Sequence, residues 1–221
     1  MQMSKQTANI HIDNYTRTTN LKTFKSAGQI VFICFFMCAC FLITLRHFVL
    51  TGGLLVASVA EYVYITIMRK NNIVTTYTGI SVNLIVVFNI TLLFNVCIYS
   101  IQNILHSYDP LMFIIIIMLE VLCMITGFAY VKHCVECERM HKKYVLPLSA
   151  VCYSLFGVTG YHLAINLING ASVRMQSAIF TILFAVGGAV MASVIGAGYI
   201  SSIYFIIKYS LPSRSITSEK H

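Results

Sequence analysis

Six long apolar runs separated by abrupt polar breaks organise this chain. They cover 28–45, 48–68, 76–99, 111–131, 145–167 and a stretch within 177–207. Each is close to the ~20 apolar residues that an α-helix needs to cross the hydrocarbon layer. The breaks are Arg46-His47, 69–72, Asp109-Pro110, the basic segment 132–143 and 169–176. The pattern predicts an all-α fold, a polytopic membrane bundle of six transmembrane helices at 28–207. The last run exceeds what a bilayer requires, so that helix tilts or protrudes. Residues 1–27 and 208–221 are polar and are expected as flexible cytosolic tails. No small-residue cleavage site follows the first apolar run, which reads as a retained span rather than a signal peptide.

Charge placement gives the orientation. With the N-terminus in the cytoplasm, 13 of the 15 Lys and Arg residues fall on the cytoplasmic side and only Arg46 and Arg174 fall outside. This is the asymmetry expected of an inserted protein, and it puts both termini in the cytoplasm. It also accounts for the net charge of +8 without nucleic acid, which is not an expected partner. The expected partners are the lipid bilayer and anionic lipids at the cytoplasmic face, with a homo-oligomer or other membrane proteins. At 58% hydrophobic and 10% charged residues, against about 25% charged in soluble domains, the chain is not a soluble enzyme or a disordered segment. None of the eight cysteines lies in an exoplasmic loop, so no structural disulfide is expected.

Ionisable and amide groups inside spans are costly and mark functional or bundle-interior positions. Glu61, Glu120 and His162 are the ionisable ones. Glu61 follows Gly53 and Ala57 on one helical stripe, and small residues there predict a close neighbouring helix. Its two readings are a protonatable or cation-attracting site and a hydrogen-bonded acid that ties helices together. Glu120 is expected as a neutral, hydrogen-bonded acid. His162 reads as an interfacial histidine or a pH-sensitive group. Asn83, Asn89 and Asn95 recur every six residues, a net rotation of about 240° per step at 3.6 residues per turn. They therefore do not share a face, and read as interhelical hydrogen-bonding groups rather than a pore lining.

The sixth run carries a small-residue ridge, Gly188, Ala192 and Gly196, suited to close packing within the bundle or between subunits. Prolines stand only at 110, 147 and 212, outside span interiors, so none signals a broken transporter helix. The segment His133-Cys134-x2-Cys137-x3-His141 has metal-like spacing, yet a short loop between spans suits palmitoylation of Cys134 and Cys137 better. No metal and no cofactor is expected. The chain has no P-loop, G-x-S-x-G or H-E-x-x-H motif, and it reads as non-enzymatic.

Three stretches resemble the four-pass membrane-spanning A family, which includes the B-lymphocyte surface antigen. They are Lys25-Ser-Ala-Gly-Gln-Ile30 at the first span, Arg69 to Asn83 through the basic turn and entry to the third span, and 111–134 with mid-span Glu120. The resemblance covers about residues 24–137, and the chain continues beyond it through two further runs. It implies a non-enzymatic membrane protein that oligomerises, associates with receptors or influences ion flux and trafficking. The expected function is an oligomer-forming accessory or scaffold in signalling or trafficking. The alternative is a small ion channel or solute carrier using Glu61 and Glu120.

Overall fold

The computed structural model describes residues 2–16, 21–71, 75–106, 108–137 and 172–211. Every element among them is a helix: α1 (Gln2–Thr16), α2 (Leu21–Thr44), α3 (Phe48–Lys70), α4 (Thr76–Ile104), α5 (Pro110–Glu136), α6 (Val173–Val190), a π-helical turn (Met191–Gly196) and α7 (Ala197–Lys208). Five helical stretches are long and apolar enough to cross a membrane, the last running Met175–Lys208 through the π turn. The expected span at 145–167, with His162, lies outside the described residues, as do His141 and the end of the basic segment.

The helices extend past the apolar runs because local chemistry, rather than hydropathy, ends them. Thr75 caps α4, its hydroxyl accepting from the Thr78 amide at 3.2 Å while Thr78 Oγ1 accepts from the Thr75 amide at 2.9 Å. This reciprocal arrangement satisfies two otherwise orphaned donors. Asp109 caps α5, accepting from the Leu111 amide at 2.9 Å, and Pro110 occupies the first helical turn, where its missing N–H costs nothing. The α2–α3 hairpin closes through Arg46, which adopts φ 61° while the His47 amide donates back to the Leu42 carbonyl at 2.8 Å.

Helix α4 is the centre of the bundle. It packs on α2 along one flank and on α6 and the π turn along the other, while α3 lies outside α2 and α5 lies outside the π turn and α7. Phe24, Ala27 and Val31 of α2 meet Ile65 of α3 and Val82 of α4 in one buried cluster. Cys38, Leu42 and Val96 form another toward the opposite end. By contrast, α3 and α5 touch α4 itself at few points. They turn outward large apolar side chains such as Val56, Val59 and Val63, and Met118, Leu122 and Ile125.

The N-terminal segment departs from the expected flexible tail. Residues 2–16 form α1, which lies across the ends of α4, α5 and α7. Ala8 and Ile12 join Ile80, Val135, Phe205 and Leu211 in a buried cluster, so burial of that small face offsets the cost of ordering the segment.

Candidate functional site: two glutamate–asparagine pairs on the central helix

Both acids within the long apolar helices are bonded to α4. Asn89 Nδ2 donates to Glu61 Oε2 of α3 at 2.7 Å, and Asn95 Nδ2 donates to Glu120 Oε2 of α5 at 2.8 Å. The two pairs share one construction. Each amide nitrogen also donates back along its own helix, Asn89 to the Ile85 carbonyl at 3.0 Å and Asn95 to the Thr91 carbonyl at 3.1 Å. Both amide hydrogens are thereby used, and the local bond fixes the rotamer that aims the second hydrogen at the neighbouring helix. Six residues separate the amides, about 9 Å along the axis and 240° around it. That rotation is why one reaches α3 and the other α5. Asn83 lies half-buried nearer the N-terminal end of α4.

Burial divides the pairs. Glu61 is half-buried, whereas Glu120 is 6% exposed. Among the described residues, Glu120 Oε1 and Asn95 Oδ1 are buried with no hydrogen-bond partner. Oε1 faces Gly188 of α6, where a Cβ would overlap it and stand 2.9 Å from the carboxyl carbon. Gly188 is thus the space in which the Glu120 carboxyl sits. The pair borders a cavity of about 550 Å³ between α3, α4 and α5. Its walls are apolar, among them Leu54, Leu92, Val96 and Val121, and Asn95 and Glu120 supply polar groups. At its end, Tyr99 OH and His47 Nε2 are 2.7 Å apart, and the Tyr99 ring meets Tyr108 and Phe113 at 5.1 and 5.9 Å.

The small residues divide as well. A Cβ at Gly196 would stand 3.6 Å from Val87 Cγ1 of α4, and Ala192 is buried, so the 188–192–196 ridge is occupied within the chain. Among the described residues, no helix makes the close contact expected at Gly53 and Ala57. Both are exposed, and a methyl at 53 meets open space among the described residues. A further close approach, unsignalled by the ridge pattern, joins Gly127 of α5 to the Ser193 carbonyl in the π turn. There a Cβ would overlap the oxygen and stand 3.0 Å from Ala197 Cβ.

At the opposite end, Lys208 Nζ meets Glu136 Oε1 at 2.5 Å, and Lys132 and Lys208 each lie 5.5 Å from the Tyr204 ring centre. Cys134 is half-buried and Cys137 exposed, both as free thiols. Cys137 Sγ lies 3.6 Å from His133 Nδ1. The described residues contain no cluster of three or more potential metal ligands.

Sequence reasoning overlooked His11, which is fully buried on α1. Its Nε2 lies 3.0 Å from Ser201 Oγ and 3.2 Å from the Gly198 carbonyl oxygen. The available signal was the repeat of Thr7-Ala8, His11-Ile12 and Tyr15-Thr16 every four residues. No family model, curated protein or solved structure matches the chain.

Proposed function

We propose that this chain is a non-enzymatic, six-span membrane protein with cytoplasmic termini that acts as an accessory or scaffold through helix association. The carrying observation is the sidedness of α3 and α5. Their intramembrane acids turn inward to Asn89 and Asn95, and their broad outer faces are apolar. Polar side chains that hold outer helices to a central one leave those faces for lipid or for another protein's helices. Because Gly188, Ala192 and Gly196 pack inside the chain, the contact runs through α3 and α5 rather than through that ridge.

The sixth span has its own support. Gln102 near the end of α4 bonds Thr181 of α6 at 3.1 Å, while Lys208 at the end of α7 meets Glu136 at the end of α5. Helix α5 and the α6–α7 stretch therefore run in the same direction, which supports the six-span reading. The 13-to-2 distribution of basic residues favours cytoplasmic termini. The resemblance over residues 24–137 points to the same class.

A channel or carrier is the second reading, favoured by the partnerless Glu120 Oε1 and Asn95 Oδ1 beside the cavity. One preparation separates the two. Purified protein in lipid nanodiscs is sized by native mass spectrometry, and ion flux is measured in liposomes for the wild type and Glu120→Gln. Defined oligomers with no flux above empty liposomes support the scaffold. A monomer whose flux falls in Glu120→Gln replaces it with the carrier.

A further inference from the structure

Helix α1 is fastened to α7 by one imidazole in an unusual setting. The Gly198 carbonyl can only accept, so His11 Nε2 carries the ring's hydrogen and shares it between that oxygen, at 3.2 Å, and Ser201 Oγ, at 3.0 Å. Ser201 and Ser202 both donate to the same carbonyl at 2.9 Å. The other ring nitrogen, Nδ1, is buried and has no partner among the described residues. The ring lies edge-on to Phe205 at 5.8 Å and 4.9 Å from Tyr15. Tyr15 sits over Gly198, where a Cβ would overlap its ring, and meets Tyr199 edge-on at 5.1 Å.

Protonation would damage this arrangement twice. It would place a charge in an apolar enclosure, and it would create an Nδ1–H donor facing no acceptor among the described residues, each a cost that burial magnifies. Among the described residues, no charged group on the packed elements offsets it. Tyr15 is the titratable side chain of α1 against the ring, with Lys5 and Asp13 of α1 exposed. Helix α7 brings Tyr199 to Tyr15 and Phe205 to the imidazole. Helices α4 and α5 bring Ile80 and Val135 to the same core. Lys132, Lys208 and Glu136 are engaged with one another around Tyr204.

We propose that α1 is a pH-gated clamp on α7, docked while His11 is neutral and released when acidification at that face protonates the ring. Burial lowers the docked imidazole from 6.5 to about 4. Above pH 6.5 the ring is neutral whether docked or free, and docking is at full strength. As the pH falls from 6.5 toward 4, the free ring takes a proton that the docked ring resists, and docking weakens. At pH 5.5 the docking constant falls about tenfold relative to neutral pH. Release uncovers the Gly198–Ser202 turn of α7, directly after the π turn that meets α4 and α5.

The test is amide hydrogen exchange of residues 2–16 in full-length protein in lipid nanodiscs, corrected for intrinsic exchange rates. Wild-type protection is expected to fall about tenfold between pH 7.5 and 5.5, while His11→Gln, whose amide can still donate to Gly198, keeps one value at both. An unchanged wild type, or an equal fall in His11→Gln, overturns the proposal. If His11→Gln leaves α1 unprotected throughout, the His11 Cε1–H resonance of labelled wild-type protein decides. A titration midpoint below about 5 supports the clamp, and one near 6.5 with α1 still protected overturns it.

Discussion

The carboxyl group of Glu120 occupies the space that a side chain at Gly188 would fill: a Cβ there would stand 2.9 Å from the carboxyl carbon and overlap Oε1. The acid of α5 and the glycine of α6 are therefore one packing unit. Gly188→Ala is expected to cost about 1–3 kcal/mol as overpacking, read by steric-trapping or detergent-driven unfolding. Glu120→Ala should remove the overlap, so the double variant is expected to be more stable than the two single losses predict. Strict additivity would separate the two residues.

The Glu–Asn pairs are expected to behave as interhelical hydrogen bonds of ordinary membrane strength. Asn89→Leu should cost about 1 kcal/mol, because it releases Glu61 from α4. Glu61→Gln, which keeps an acceptor oxygen at 61, should cost less. A double-mutant cycle over positions 61 and 89 checks this, with zero coupling as the contrary result.

Asn95→Leu is expected to cost more than Asn89→Leu. It would strip from Glu120, which is 6% exposed, the one donor it has among the described residues, and a buried acceptor without a partner loses the full desolvation term, about 1–3 kcal/mol. Comparing unfolding of the two variants in the same detergent measures the difference.

At the α1 end, Gly198→Ala should push Tyr15 out of its seat. The expected result is faster exchange over residues 2–16 with the spans unchanged. In a Tyr15→Ala background the same substitution should add little, since the ring it displaces is gone.

Much of the fold can be read from the residues that end helices. Thr75 with Thr78, and Asp109 with Pro110, carry capping chemistry that any sequence reader can recognise. Helix α1 is harder to read because its buried face is small and polar, with Thr7, Ala8, His11 and Thr16 beside Ile12. It has helical spacing but little hydropathy. The six-residue spacing of Asn89 and Asn95 says that they serve different neighbours, but packing alone decides that those neighbours carry Glu61 and Glu120. Gly53 and Ala57 have the same small-residue spacing as Gly188 and Ala192 yet are uncovered among the described residues. Such spacing permits a close approach without saying which side of the helix is approached.

The π turn at Met191–Gly196 has a consequence for phase. In an α-helix at 3.6 residues per turn, a four-residue step overshoots a full circle by about 40°. In a π turn, at about 4.4 residues per turn, the same step falls short by about 33°. The step from Gly188 to Ala192 and the step from Ala192 to Gly196 therefore nearly cancel, and a ridge that would otherwise spiral away stays straight against α4 and α5. The turn behaves as an α-helix that has absorbed one supernumerary residue. Removing a single residue within 191–196 should leave Gly188 facing Glu120 and Gly198 facing Tyr15. A deletion outside the interval between those glycines would leave their relative phase unchanged and turn both by about 100° against the residues beyond it.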